Sequence, residues 1–151
     1  LVVGFAEELV FRGWLWGELN QIVGSRLGFL SQAVIFSLAH TRFDSGLGLI
    51  SYLSLMLGLF LLGLVLALRR NLDNGCLWGC VALHGGLVAG WFAFGQICFQ
   101  ISPNAPVWLI GPGGNNPNPI GGAVGILSLV CILAYQLKAF VISRGSPLRG
   151  A

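Results

Sequence analysis

The stretch LGLISYLSLMLGLFLLGLVLAL, from Leu47 to Leu68, contains 22 residues and no charged side chain. A helix of about 20 apolar residues crosses the hydrocarbon core of a bilayer, so this stretch is long enough to span it. The stretch Cys76–Ile101 is equally uncharged if its histidine is neutral, and Ile120–Ile142 contains only Lys138 as a charged residue. These three segments predict a helical membrane protein.

The composition of the whole chain favours the same class. Of 151 residues, 56% are apolar and 9% are charged, whereas charged residues make up roughly 25% of an average soluble domain. A soluble fold of this size buries only about 70% of its unfolded surface and would leave much apolar area in water. Disorder is excluded by the apolar content. No basic run is longer than two residues, which argues against a nucleic-acid partner.

Two further helices are less uniform. Residues Leu1 to about Leu19 include four charged side chains, and Leu27–His40 is apolar but short. We therefore predict an all-α transmembrane bundle of about five helices, forming a single domain over residues 1–151. The chain enters an apolar stretch at once, with no charged leader or cleavage site, so we expect a fragment of a multi-pass protein rather than a signal peptide.

The basic residues predict the orientation of this bundle. If successive helices alternate in direction, one side of the membrane receives six of the eight basic residues: Arg26, Arg69, Arg70, Lys138, Arg144 and Arg149. The opposite side receives only Arg42, and Arg12 lies within a helix. The positive-inside rule therefore predicts a cytoplasmic C-terminus and a non-cytoplasmic loop at Ser102–Pro119.

The first predicted helix contains charges that need partners, because one charge at the centre of a membrane helix costs about 2.5–3.5 kcal/mol. Glu8 and Arg12 are separated by four residues and share a helix face, so they are expected to pair. Glu7 is turned about 100° away from Glu8 and has no partner on its own helix. An unpaired carboxylate in a membrane helix is a candidate functional group.

The two histidines, His40 and His84, also lie in apolar helices. At about 1.5 Å per residue, Glu7 and His40 lie at similar depths, and modest tilts bring His84 to the same level. One carboxylate and two imidazoles indicate either water activated by a carboxylate or a metal site with an open position. Gly85 and Gly86 are expected to leave room beside His84 for another backbone, such as that of a substrate.

Three motifs in order resemble a known family. Glu7-Glu8-Leu-Val-Phe-Arg12 resembles the E-E-x-x-x-R motif of the CAAX-protease and bacteriocin-processing family of intramembrane proteases, also called the abortive-infection family. Phe36-Ser-Leu-Ala-His40 resembles its second motif, F-x-x-x-H, and Val-Ala-Leu-His84 resembles the approach to its third, H-x-x-x-N. The resemblance extends from Val3 to about Ala134.

The resemblance implies an endopeptidase with its active site inside the membrane, acting on a membrane protein or peptide and located in a bacterial cell membrane or a related internal membrane. Glu7, assisted by His40, would activate the attacking water. Glu8 and Arg12 would brace the first helix, and His84 would help to stabilise the oxyanion.

Two versions of this chemistry fit the sequence. The favoured version has no cofactor and uses the carboxylate of Glu7 as the base. In the alternative version the ligands Glu7, His40 and His84 hold zinc or another divalent metal ion. The metal would then activate the water.

Val88 departs from the family pattern, because the family has Asn at this position, four residues after His84. Loss of one oxyanion donor costs about 10²–10³ in rate. The alternative to an enzyme is therefore a non-catalytic family member that binds a membrane protein and acts as a scaffold. A transporter with Glu7 as its proton site is less favoured, because the spans at 47–68 and 120–137 contain no acidic or polar stripe.

Overall fold

The computed structural model describes residues 2–41, 46–93, 101–102, 104–114 and 117–145, and the regular elements among them are helices, with no β-strand. The elements, in chain order, are α1 (Val2–Glu8), a π-helical segment (Leu9–Leu15), α2 (Trp16–His40), α3 (Leu49–Leu72), α4 (Trp78–Ala93), the single turn α5 (Val107–Ile110), a 3₁₀ turn (Pro119–Gly121) and α6 (Ala123–Gly145). The predicted all-α class is confirmed.

Helix α2 folds back on itself at Gly24, whose φ of 81° and ψ of 165° are not helical. Glycine adopts this backbone conformation without the steric cost of a Cβ atom. The two arms then lie side by side: a Cβ on Gly28 would be 3.1 Å from the backbone nitrogen of Asn20. The Trp16 and Phe29 ring centroids are 6.0 Å apart. The fold-back separates the first two predicted helices and brings α1 beside the end of α2.

Helix α3 is at the centre of the bundle and packs against α2, α4 and α6. Close packing against α2 depends on Gly63, because a Cβ at this position would lie 2.9 Å from the Cα and Cβ atoms of Ala33. The buried core is formed by Phe36, Leu59, Leu62, Val65, Leu66, Cys80 and Leu129. Because α3 contacts elements from both halves of the chain, it holds α2 and α4 at a fixed separation.

Within the part of the chain that the structure describes, three helical runs are long and apolar enough to cross a membrane: Val2–His40, Leu49–Leu72 and Ala123–Ser143. The first contains the fold-back at Gly24 and so provides two of the five predicted helices. The predicted span Cys76–Ile101 needs a correction at its ends: within the described residues α4 is Trp78–Ala93, and Cys76 and Leu77 precede the helix. Ile101 is not helical, and residues 94–100 lie outside the described residues.

Candidate active site

The two acidic residues of the first motif lie at the junction of two kinds of helix. Glu7 and Glu8 end α1, and Arg12 lies inside the π-helical segment that follows. Such π-helical turns are rare and frequently occur at functional sites. The predicted ion pair is present, with Arg12 Nη1 3.1 Å from Glu8 Oε1 and both side chains fully buried.

Arg12 is also held by groups from two neighbouring helices. Its Nη2 donates to the backbone oxygen of Gly63 in α3 at 3.3 Å. Its guanidinium carbon lies 4.2 Å from the centroid of the Phe36 ring of α2, a cation–π contact. The guanidinium is thus fixed by a carboxylate, a carbonyl and an aromatic face.

His84 of α4 contacts the same Glu8 oxygen. Its Nδ1 lies 2.8 Å from Glu8 Oε1, an oxygen that also accepts from Arg12. The ionised carboxylate is an acceptor only, so Nδ1 carries the hydrogen and donates it. Glu8 Oε1 therefore joins Arg12 to His84, whereas the sequence predicted only the pair with Arg12.

Close contact between α1 and α4 brings His84 to this position. A Cβ on Gly4 would lie 3.1 Å from the backbone nitrogen of Gly85, so the two backbones touch there. Another backbone therefore does lie against Gly85, as expected, but it is that of α1 and not that of a substrate. A Cβ on Gly86, by contrast, would meet nothing within 4 Å.

His40, the last residue of α2, is oriented by its own helix. Its Nδ1 lies 2.8 Å from the backbone oxygen of Phe36. A carbonyl only accepts, so Nδ1 is the protonated nitrogen of the neutral ring. The other ring nitrogen, Nε2, lies 3.1 Å from Glu7 Oε2. The second motif thus fixes which nitrogen of His40 faces the carboxylate.

Glu7 Oε2 is the point at which the two imidazoles meet. It lies 3.1 Å from His40 Nε2 and 3.5 Å from His84 Nε2. When both rings are neutral, all three of these atoms are acceptors, because each Nδ1 already carries the hydrogen. A hydrogen bond between Glu7 and His40 therefore requires one further proton. With that proton, the two carboxylates, the guanidinium and the two imidazoles together carry no net charge.

The exposure of the five residues is unequal. Glu8 and Arg12 are fully buried and the His84 side chain is 6% exposed, whereas Glu7 and His40 are 28% and 26% exposed. A molecule approaching the cluster therefore meets Glu7 and His40 first. Behind them, the other three side chains form a sealed layer of charge and hydrogen bonds.

The predicted metal ligands, Glu7, His40 and His84, lie in one cluster. Among the described residues, no group of three or more His, Cys, Asp or Glu side chains is arranged as a metal site. Glu7 Oε2 and His40 Nε2 instead contact each other directly at 3.1 Å. In this arrangement the three side chains are not spread around a metal position, and the metal alternative stays a prediction.

The fold and the cluster together define a helical membrane protein with two glutamates, an arginine and two histidines clustered inside the bundle. A family model described as type II CAAX prenyl endopeptidase Rce1-like matches residues 1–90, which include all five site residues. The chain belongs to this protease family, and the predicted resemblance to CAAX proteases is confirmed. The match is shorter than that resemblance, which extended to about Ala134. No curated protein and no solved structure matches the chain.

The sequence reasoning missed one fully buried polar side chain close to the site. Gln32 of α2 has no exposed surface, and its Nε2 donates to the backbone oxygens of Phe29 at 3.0 Å and Gly63 at 3.3 Å. It lies four residues before Phe36 and eight before His40, on the same helix face. A polar residue at that spacing in an apolar helix was the available signal.

Proposed function

We propose that the protein is an intramembrane endopeptidase in which Glu7 and His40 activate water for attack on a peptide bond. The observation that carries this proposal is the 3.1 Å contact between Glu7 Oε2 and His40 Nε2. Glu7 and His40 are the partly exposed members of the cluster, whereas the other three side chains are buried. A base must lie within hydrogen-bond reach of the water it deprotonates, and Glu7 and His40 share that reach.

The number of protons that the site can hold, and the path between them, support this assignment. Glu7 Oε2 contacts both Nε2 atoms, so the added proton can pass through it from His40 to His84. With that proton on His84, Glu7 and His40 are both free to accept. Water then transfers a proton to this pair as its oxygen attacks the peptide carbonyl carbon. The leaving nitrogen takes up that proton when the C–N bond breaks.

The sealed side of the cluster suits the role of oxyanion stabiliser. His84 Nδ1–H is held by Glu8 Oε1, so His84 donates from Nε2 only when the ring is protonated. Glu8 Oε1 accepts from Arg12 on one side and from His84 on the other, which fixes the orientation of the His84 ring. A charged donor placed where negative charge develops lowers the barrier in a water-poor site.

The substrate class follows from the surroundings of the site. The helices that hold the cluster are apolar, and the family is one of membrane proteases. We therefore propose a membrane protein or membrane-associated peptide as substrate and the bacterial cell membrane, or a related internal membrane, as the location. We further propose that the C-terminus faces the cytoplasm, as the distribution of basic residues predicts.

The test is proteolysis by the purified complete protein in detergent against a membrane-peptide library, read by mass spectrometry. Glu7→Gln should abolish cleavage, because an amide oxygen is too weak a base to accept the proton of water. Glu18→Gln is the matched control, since Glu18 is an exposed glutamate on the first arm of α2. Cleavage by Glu7→Gln at the wild-type rate would refute the proposal.

A second candidate is a non-catalytic relative that binds membrane proteins, and Val88 favours it. This side chain is apolar and 41% exposed, one helical turn after His84. If the protein is an enzyme that lacks this oxyanion donor, Val88→Asn should raise kcat by up to about 10²–10³. Peptide binding without cleavage, by both the wild type and Val88→Asn, would favour the second candidate.

A further inference from the structure

Gln32 is a polar side chain that a membrane helix has no packing reason to bury. It is fully inaccessible, and burial of an amide costs free energy unless its hydrogen-bonding groups find partners. Its amide nitrogen has two, the carbonyl oxygens of Phe29 and Gly63. These contacts fix the amide and tie the second arm of α2 to α3.

The carbonyl of Gly63 connects Gln32 to the active-site cluster. This one oxygen accepts from Gln32 Nε2 and from Arg12 Nη2, each at 3.3 Å. Two further buried atoms on the same pair of side chains, Arg12 Nε and Gln32 Oε1, have no hydrogen-bond partner among the described residues. One is a donor and the other an acceptor, so they complement each other.

We propose that Gln32 is a positioning residue that holds Arg12 in place and, through it, the hydrogen bond between Glu8 and His84. Gln32 meets Arg12 at the Gly63 carbonyl, and one bridging water molecule would let its amide oxygen accept a hydrogen bond from that water while the Arg12 Nε–H donates to it. Arg12 in turn holds Glu8 Oε1, to which His84 donates. The proposal rests on the proposed function, because the role it assigns is to orient His84 for the reaction.

The protein contains a second buried glutamine that serves as a control. Gln136 of α6 is 4% exposed and its Oε1 also lacks a partner among the described residues. It lies on a helix that contributes none of the five site residues. A general effect of removing a buried amide should therefore appear at both positions, whereas a positioning effect should appear only at Gln32.

The experiment compares Gln32→Met with Gln136→Met in the complete protein. Gln32→Met should lower kcat by about 10- to 100-fold, the effect expected when a hydrogen bond to a charged group is lost, with KM within twofold of wild type. It should also shift the ¹⁵N resonances of the His84 ring, which report its hydrogen bond to Glu8. Gln136→Met should leave kcat, KM and those resonances unchanged.

Gln32→Glu provides a second variant, because it keeps the size of the side chain while placing a carboxylate beside Arg12. That carboxylate competes with Glu8 for the guanidinium, so kcat should fall further than in Gln32→Met. Gln136→Glu is its control and should not shift the His84 resonances. Gln32→Glu also keeps the test decisive if Gln32→Met does not fold.

Three results would overturn the inference: unchanged His84 resonances in the folded Gln32 variants, equal losses of kcat at Gln32 and Gln136, or a loss confined to KM. The resonances are measured without substrate. A wild-type protein that cleaves nothing would therefore refute the proposed protease activity, while the shift in the Gln32 variants would still decide whether Gln32 positions the cluster.

Discussion

Removal of Arg12 should destabilise the protein strongly, because it leaves Glu8 charged and buried without its closest cation. Arg12 Nη1 and Glu8 Oε1 are 3.1 Å apart with no exposed surface on either side chain. At an effective dielectric constant of about 20, two unit charges at this separation attract by about 5 kcal/mol. Loss of one partner of a buried pair costs about 3–5 kcal/mol, so both routes give the same range for Arg12→Met.

A double-mutant cycle isolates this interaction. Arg12→Met, Glu8→Gln and the double variant are unfolded with SDS in detergent micelles and followed by the fluorescence of the five tryptophans. We expect a coupling free energy of about 3–5 kcal/mol, with the double variant more stable than Arg12→Met.

The matched control is the pair Arg69–Asp73, which has the same four-residue spacing but side chains 38% and 20% exposed. Solvent screening should reduce its coupling to about 0–1 kcal/mol. A coupling for Glu8–Arg12 no larger than that of Arg69–Asp73 would refute the reasoning, because burial is the property that separates the two pairs.

Three further predictions concern packing, topology and metal. Gly63→Ala should lower the melting temperature, because its Cβ would lie 2.9 Å from Ala33 and overpacking costs about 1–3 kcal/mol. Gly86→Ala should raise it, because that Cβ meets nothing within 4 Å and alanine is the better helix former. In a cysteine-free background, Asn104→Cys should react with an impermeant reagent added outside the cell, and Ser143→Cys only after permeabilisation. Treatment with a strong chelator should leave cleavage unchanged.

Each of these outcomes has a clear opposite. A melting temperature that moves in the same direction for both glycine variants would contradict the packing argument. A reversed labelling pattern would show that the count of basic residues misassigns the topology. Stoichiometric zinc, whose removal stops cleavage and whose return restores it, would establish the metal alternative over the carboxylate one.

Hydropathy and residue spacing were sufficient to predict the parts of the site that depend only on distance along the chain. Hydropathy predicts the helices, and the four-residue spacing predicts the pair Glu8–Arg12. The similar depths of Glu7 and His40 also follow from counting, because the two residues are nearly equally far along the chain from the fold-back at Gly24. Each of these features depends on sequence separation alone.

The remaining features depend on contacts between helices, which no spacing encodes. The hydrogen bond from His84 to Glu8 is set by the approach of α4 to α1, where Gly4 meets Gly85. Gln32 reaches the cluster only because α3 presents the Gly63 carbonyl to two helices. Hydropathy also places Ile101 within the predicted span, although this residue is not helical.

The π-helical segment Leu9–Leu15 makes the number of residues in this region as important as their identity. A turn closed by an i→i+5 hydrogen bond contains one residue more than an α-helical turn. Deletion of Val10 would allow the segment to relax to an ordinary α-helix and would rotate α1 by about 100° relative to α2. Glu7 and Glu8 would then turn away from His40 and His84 with every motif residue still present. A motif search that tolerates gaps would still assign such a sequence to the family, although Glu7 and Glu8 would no longer face the bundle.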